Sequence, residues 1–313
     1  MSEETKDPYK DMVESKDQAF KDEVKQNGLG KASLSKFSND TLDSDAHLGW
    51  MHVGVDTLPS KGMFYPSDAI VKIKAATVAE IRHFSTIDDT NLVDIDEKLN
   101  EIVKACITVS SKTSKFSPKD ICEEDRFFIL LSIRDLTFPD PEHSLKVNHE
   151  SPKTGTKHEV ELSKDYFKYY TIDKSLDKYY DTDSRKFLIE TKSFGIIEMR
   201  PPSIGIMEQV TKYIKERQVK GLKIDQSLLQ VMPFIITDWR SFTDQSLFKL
   251  EVEMNGWDHR KYSLIYKLAE QMKMGIQPTM LVDLGDGVED VPIGFRDGLK
   301  SMFIIQDIAG ELL

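Results

Sequence analysis

The 313-residue sequence has only two cysteines, Cys106 and Cys122, and no long hydrophobic run. Two cysteines exclude a disulfide scaffold and a four-cysteine zinc site. The longest apolar stretches, such as residues 127–131, are far too short to span a bilayer, and the acidic N-terminus lacks the cationic start of a signal peptide. We therefore expect a protein without a membrane span that is made in the cytosol with reduced cysteines.

An excess of positive charge is also missing. The chain has 42 Lys and Arg against 53 Asp and Glu, which gives a formal net charge of −11. Because nucleic-acid binding needs basic surface opposite the phosphates, this balance argues against a nucleic-acid partner. Hydrophobic residues make up 39% of the chain, enough for a sizeable core in one large or two modest domains.

Signatures of phosphate binding and of nucleophilic catalysis are absent as well. Residues 285–287 are followed by neither Lys-Ser/Thr nor a helix, and no Gly-x-Ser-x-Gly elbow occurs. Cys122 has acidic neighbours that oppose a thiolate, so we expect it to be inert. His143, His149 and His158 lie close in sequence, but solvent-facing or cross-strand polar residues explain them better than a shared metal does. The sequence therefore predicts no catalytic, cofactor-binding or metal-binding residues.

The residues that are present divide into four stretches, of which the first, residues 1–46, carries 11 acidic and 7 basic residues. A thin apolar stripe recurs there near helical spacing, and it is too narrow to bury much surface alone. Two interpretations fit: a flexible tail with nascent helix, or an arm that becomes ordered against a partner. The stripe consists of Tyr9, Met12, Val13, Phe20 and Val24.

Residues 47–145 predict a unit of short strands and helices. Alternating apolar residues indicate a strand around Ile70–Ala75, and Thr77 with Glu80 forms a capping box that opens a helix. A helical stripe that includes Cys106 follows, so we expect this thiol to be a buried small hydrophobe. Ser117, followed by a proline and three residues later by an aspartate, predicts the start of another helix.

The second half of the chain mixes hairpins with helices. Residues 146–200 predict a hairpin around a turn-rich stretch, then a tyrosine-rich insertion and two more strands. Residues 201–313 predict several helices, with Pro233 kinking or ending one of them early, and a final β-hairpin. The predicted class is α+β: a mostly helical body with antiparallel hairpin insertions and a charged N-terminal arm.

The tyrosines of the third stretch do not form a core pattern. They are spread through a polar region that is too poor in aliphatic residues for a good core, and aromatic residues of this kind are typical of interfaces. We therefore predict that they bind a partner together with side chains of the arm. The predicted partner-binding residues are Tyr9, Met12, Phe20, Tyr166, Tyr169, Tyr170, Tyr179 and Tyr180.

Three motifs in the second stretch occur in an order and spacing that are more specific than any one of them alone. They are Leu58–Pro66 with the strand and the Thr77–Glu80 box after it, then Ile95–Cys106, and then Asp125–Arg134. These motifs resemble those of the T-even-type baseplate hub proteins and hub assembly proteins of contractile-tailed bacteriophages. The resemblance is best over residues 57–135 and looser over residues 136–313.

The resemblance implies a non-enzymatic structural or assembly role in the hub region of a phage tail baseplate. The implied partners are other tail and baseplate hub proteins within an oligomeric assembly. The implied location is the virion tail, after assembly in the host cytoplasm. The resemblance transfers no active-site residues.

This sequence departs from the family pattern in one respect. Longer relatives often carry Cys-x-x-Cys pairs in the hairpin after the third motif and near the C-terminus, where they form a zinc ribbon. The corresponding stretches here, residues 149–158 and 284–291, contain no cysteine. The resemblance therefore implies a zinc-ribbon-like hairpin that keeps its β framework without the metal.

Two alternative functions stay open on the sequence alone, and a nucleic-acid role, which would need a concentrated basic patch, ranks third. A transient tail or baseplate assembly chaperone would be absent from the mature particle. An enzyme of unrecognised type, using carboxylates, would have a deep pocket lined by residues with strongly shifted pKa values.

Overall fold

The structure is a computed structural model that describes residues 49–88, 90–140, 143–223, 225–285, 287–295 and 299–303. The predicted arm of residues 1–46, with Tyr9, Met12 and Phe20, lies outside these ranges. Both interpretations of the arm stay predictions.

Three short antiparallel strands form the first sheet, in the order β1-β2-β3. In the central strand, Val71 and Ile73 are buried while Lys72 between them is partly exposed. The alternation in the sequence is therefore that of a strand with one buried face, as predicted. The strands are β1 Met51–Val53, β2 Ile70–Ile73 and β3 Ile107–Ser110.

Helices α1 (Val78–Phe84) and α2 (Leu92–Cys106) pack against each other beside this sheet. The predicted capping box is confirmed, because the Thr77 hydroxyl accepts the Glu80 N–H and the Glu80 carboxylate accepts the Thr77 N–H at 2.6 Å. Cys106 is fully buried at the end of α2, as expected for a small hydrophobe.

Helix α3 (Glu123–Thr137) begins six residues later than predicted. A helical turn does start at Ser117, where the Asp120 carboxylate accepts the Ser117 N–H at 2.9 Å, but Pro118–Asp120 form only a 3-10 turn. Ile121 is extended, so the prediction of one helix that runs from Ser117 through Ile121 is wrong. The carbonyl of Ile121 accepts a hydrogen bond from the Ile204 N–H at 2.8 Å. This pairing with a segment remote in sequence holds the chain extended where local residues favour a helix.

The predicted hairpin in the third stretch is confirmed. Strands β4 (Lys146–Glu150) and β5 (Lys157–Glu161) pair in antiparallel register, with Val147 opposite Val160. Both valines are buried, so one face of the hairpin packs on the body. Gly155 turns the chain at φ +70°, a conformation that favours glycine.

A second three-stranded sheet follows in the order β7-β8-β9. Its longer strands match the two strands predicted after the tyrosine-rich insertion. Phe187 lies at its centre, fully buried, opposite both Tyr180 and Met199. The strands are β7 Tyr180–Asp181, β8 Lys186–Thr191 and β9 Gly195–Met199.

Four helices build the C-terminal part of the body. Ser203 caps the first of them, as its hydroxyl accepts the Ile206 N–H. Pro233 lies inside the second, which ends two residues later at Ile235, in agreement with the predicted early end. The helices are α4 Ile204–Val219, α5 Gln226–Ile235, α6 Asp244–Asn255 and α7 His259–Gln271.

The last sheet joins segments that are far apart in sequence. Strands β10 (Gly275–Asp283) and β11 (Val288–Pro292) form the predicted C-terminal hairpin. Strand β6 (Phe167–Tyr170), which the sequence did not predict as a strand, pairs with β10 and completes the order β11-β10-β6. The tyrosine-rich insertion is thereby attached to the C-terminal hairpin.

The described residues from Trp50 to Phe303 form one compact unit, and all four described sheets contribute side chains to its continuous hydrophobic core. The predicted α+β class is confirmed, whereas the division at residues 145 and 200 stays a prediction. Within the described ranges, no helix has both the length and the apolar character needed to cross a membrane.

Candidate functional site

Two of the three sequence motifs meet at the buried carboxylate of Asp125, in the first turn of α3. This carboxylate accepts the Ser60 N–H at 2.7 Å, the Ser60 hydroxyl at 2.5 Å and the Tyr65 hydroxyl. The Tyr65 oxygen in turn accepts the N–H of Cys122 at 3.0 Å. The loop of the first motif is thus held to the start of α3 by four hydrogen bonds in the interior.

Burial governs ionisation around this carboxylate. It raises the pKa of Tyr65 well above its ordinary value, and the nearby Asp125 raises it further, so Tyr65 stays a neutral donor. Burial also raises the pKa of the Cys122 thiol well above its ordinary value. Cys122 immediately precedes α3 instead of lying within the helix as predicted, and its raised pKa agrees with the expectation of an inert thiol.

The neighbouring Arg126 connects the third motif to the second. Its guanidinium donates to Asp96 at 2.5 Å and to Asn100 at 2.7 Å, both on α2, and it pairs with Glu123 one turn earlier on α3. Thr211 of α4 donates to the other oxygen of Asp96 at 3.3 Å. One arginine and one aspartate therefore link three helices.

Two further carboxyls at the start of α3 each have one oxygen without a hydrogen-bond partner in the described part of the chain. Within the described residues, one oxygen of Glu123 and one of Glu124 are buried without a hydrogen-bond partner. Burial raises the pKa of Glu123 to about 7 and that of Glu124 to about 8. Glu124 lies directly against β10, because a Cβ placed on Gly275 would come 3.1 Å from the Glu124 Cβ. Both groups therefore change charge near neutral pH.

A third polar cluster ties the β4–β5 hairpin to the β10–β11 hairpin. Glu289 accepts the Ser151 hydroxyl at 2.8 Å and has His149 Nε2 at 2.9 Å. Lys153 Nζ lies 3.7 Å from the same carboxylate. Glu289 is only 6% exposed, and the hydrogen bond with His149 is the main cause of its lowered pKa. Nothing in the sequence indicated that the histidine would pair with this glutamate, which lies 140 residues away.

These hairpins correspond to the stretches in which the resemblance implies a zinc ribbon. His149 and His158 face each other in register, so the cross-strand interpretation is confirmed. Zinc does not fit here: neither hairpin has a cysteine, and the described residues contain no group of three or more His, Cys, Asp and Glu arranged to hold a metal ion. Hydrogen bonds to Glu289 join the hairpins in this chain.

Replacing Glu289 with Gln should lower the melting temperature by a few degrees at pH 7, since two donors lose a buried carboxylate. The lowered pKa means that the carboxylate stabilises the fold fully above the unfolded pKa of about 4.5, and this stabilisation is lost as the pH falls further. The difference between wild type and variant should therefore shrink on acidification. Asp290→Asn, which removes an exposed ion pair on the same strand, is the control.

The predicted tyrosines separate into two groups. Tyr166, Tyr169 and Tyr170 are 41%, 36% and 46% exposed and lie on or next to β6; we call these three residues the tyrosine edge. Tyr179 and Tyr180 are half-buried, and Tyr180 donates to the carbonyl of Met63 while its ring packs in the core. The structure thus brings the first three together at a sheet edge and directs Tyr180 inward.

A cleft of about 450 Å³ lies between the end of α3 and the β4–β5 hairpin. It ends at the 3-10 turn Lys164–Tyr166, which leads directly into β6. Acidic side chains outnumber basic ones in its lining, so we call it the acidic cleft. Its charged residues are Arg134, Asp135, Asp140, Glu161, Lys164 and Asp165.

Comparison with known proteins gives one match. The sequence profile of the family described as T4 bacteriophage base plate protein matches residues 53–252, which is more than half of the chain. No curated protein and no solved structure matches the chain. The matched range begins in β1 and ends in α6, and it includes all three motifs and the tyrosine edge.

Proposed function

Because the chain belongs to the T4 bacteriophage base plate protein family, we propose that it is a non-enzymatic structural component of the baseplate hub that acts through protein–protein contacts. The observation that carries this proposal is the placement of the motif side chains, which form hydrogen bonds with one another or with nearby backbone at buried and partly buried positions. These side chains hold the loop of the first motif, α2 and α3 together, so their role is to stabilise the fold, and contacts with partners fall to other, exposed side chains. The motif side chains are Ser60, Tyr65, Asp96, Asp125 and Arg126.

The partners in this proposal are other tail and baseplate hub proteins, within an oligomeric assembly that forms in the host cytoplasm. The tyrosine edge supports protein partners, because exposed tyrosines on an open strand are typical of interfaces. The net charge of −11 supports them over nucleic acid.

Mass spectrometry of purified virions, combined with affinity purification from infected cells, tests this proposal. Retention in particles at a fixed ratio to other baseplate proteins is the expected result. Presence in assembly complexes but absence from particles would favour the transient chaperone instead. Absence from both would contradict a structural role and an assembly role alike.

The enzyme alternative has weaker support. Glu123 and Glu124 have carboxyl pKa values near neutrality, as a catalytic acid or base would. Neither of them lines the acidic cleft, and Glu124 is packed against β10. The two carboxyls with raised pKa values thus lie outside the cleft, which favours the structural proposal.

A further inference from the structure

The outer side of β6 is an open sheet edge. Within the described ranges, β6 pairs with β10 on one side and with no strand on the other. Such an edge presents backbone N–H and C=O groups that can pair with an added strand. A lysine on the edge often prevents such pairing, but the ammonium of Lys168 is bonded to Asp290 of the same sheet.

Aromatic rings flank this open edge. Tyr169 and Tyr170 are adjacent on β6, so their side chains point to opposite faces of the sheet, and Tyr166 lies in the turn just before the strand. An added strand would therefore meet a tyrosine ring on each face. Tyrosine supplies contact area at low entropic cost, and its ring face attracts ammonium and guanidinium groups.

The acidic cleft is linked to this edge through Lys164 and Asp165, which line the cleft and directly precede Tyr166, and its lining has more acidic than basic side chains. Lys164 pairs with Asp135 at 2.7 Å, and the Arg134 guanidinium donates to the backbone carbonyls of Met302 and His143. In the described part of the chain, neither Glu161 nor Asp165 forms an ion pair: Lys146 lies opposite Glu161 in the β4–β5 register, but its ammonium pairs with Glu159.

Two further features extend this negative surface towards β6. The C-terminal end of α3 adds partial negative charge to the cleft wall. Asp165 also lies close enough to Tyr169 to raise the pKa of its hydroxyl, after the larger effect of burial. At least one acidic side chain of the cleft, that of Asp165, therefore acts on the tyrosine edge.

We propose that β6 accepts an extended, lysine- or arginine-bearing segment of a neighbouring protein as a further antiparallel or parallel strand, with its cationic side chains directed to Glu161, Asp165 and the tyrosine edge. Backbone pairing supplies affinity, and the alternating cationic side chains supply specificity. That the neighbour is a baseplate protein rests on the proposed function, whereas the chemistry of the segment does not. A second copy of this chain fits less well, because each copy would bring the same acidic surface to the contact.

Synthetic peptides of about eight residues test the chemistry on the full-length protein. A Val-Lys repeat should bind at least about tenfold more tightly than a Val-Glu repeat of the same length, measured by fluorescence anisotropy. Binding should slow hydrogen exchange at the β6 amides and weaken when salt rises from about 0.05 to about 0.5 M. Equal binding of the two peptides, or unprotected β6 amides, would overturn the proposal.

Matched variants locate the binding. Glu161→Lys with Asp165→Lys should weaken Val-Lys binding at least about tenfold, whereas Asp183→Lys with Glu190→Lys, which changes net charge equally at remote exposed positions, should change it less than about twofold. Retained affinity in the first double variant would overturn the proposal.

The aromatic part is tested in the same way. Tyr169→Ser with Tyr170→Ser should also weaken binding about tenfold. The control is Tyr266→Ser on α7, where the tyrosine is as exposed as Tyr169. Analytical ultracentrifugation without peptide tests whether a second copy of the chain occupies the edge. If the wild type and the Tyr266→Ser variant form a dimer and the Tyr169→Ser and Tyr170→Ser double variant does not, the edge serves self-association and the proposal is overturned.

These results are separable from the proposed function. The protein could bind the peptides selectively and yet be absent from virions and assembly complexes. That result would support the cationic-strand site but contradict a baseplate protein as its partner. Presence in virions together with equal binding of the two peptides would retain the baseplate role and rule out the cationic-strand site. Cross-linking from Tyr170 inside purified particles should reach a lysine- or arginine-bearing strand of a neighbouring protein.

Discussion

Replacing Asp125 with Ala should lower the free energy of unfolding by about 3–5 kcal/mol. The substitution leaves two donors on Ser60 and the Tyr65 hydroxyl without their acceptor, and both residues are buried. It also removes negative charge from the first turn of α3, where the helix dipole favours it. The start of α3 and the loop of the first motif should loosen together.

Urea denaturation followed by circular dichroism measures this effect. Asp135→Ala on the same helix, which removes a half-exposed carboxylate paired with Lys164, should cost at most about 1 kcal/mol. The loss for Asp125→Asn should fall between those for Asp125→Ala and Asp135→Ala. An amide keeps one acceptor oxygen, but its NH2 group replaces the other oxygen and meets a donor of Ser60 or Tyr65. Equal losses for Asp125→Ala and Asp135→Ala would show that the buried hydrogen bonds contribute little.

Replacing Glu124 with Gln should stabilise the protein above neutral pH, by on the order of a few kcal/mol at pH 9. Burial raises the pKa of this carboxyl to about 8 in the folded state, against about 4.5 in the unfolded chain. The folded protein therefore binds more protons than the unfolded chain between these values, and stability falls as pH rises through this range. Glutamine cannot ionise and so does not incur this loss.

Denaturation at pH 5, 7 and 9 gives the test. The variant and the wild type should be nearly equal at pH 5 and should diverge as the pH rises. Residual pH dependence in the variant is expected from Glu123, whose pKa is about 7. Glu253→Gln, at an exposed site on α6, should leave the pH profile unchanged. Parallel profiles for wild type and Glu124→Gln would contradict a buried, neutral carboxyl at this position.

Elements whose determinants lie within a few residues were predictable. The capping box of Thr77 and Glu80 acts over three residues, and the β4–β5 and β10–β11 hairpins each need only alternating strands and a turn. The helix predicted from Ser117 stops after one 3-10 turn, although its local capping pattern was equally good and did form. Backbone pairing of Ile121 with Ile204 outweighs that local preference.

The buried site was visible in the sequence only as three ordered motifs. Ser60, Asp96 and Asp125 each stood in a motif, but nothing local showed that Ser60 and Asp125 would bond across 65 residues. The pairing of His149 with Glu289 across 140 residues was missed for the same reason, because abundant carboxylates make any one acidic partner uninformative.

Composition and short-range pattern were enough to specify an acidic, cysteine-poor α+β chain with the motifs of a phage baseplate family. They were not enough to place β6, because the Tyr166–Tyr170 stretch becomes a strand only through pairing with β10, more than 100 residues away. That pairing leaves three tyrosines exposed at an open edge and sends Tyr180 into the core. Hydrogen bonds and burial that depend on residues far apart in the chain decide which of these tyrosines are exposed and which are packed in the core.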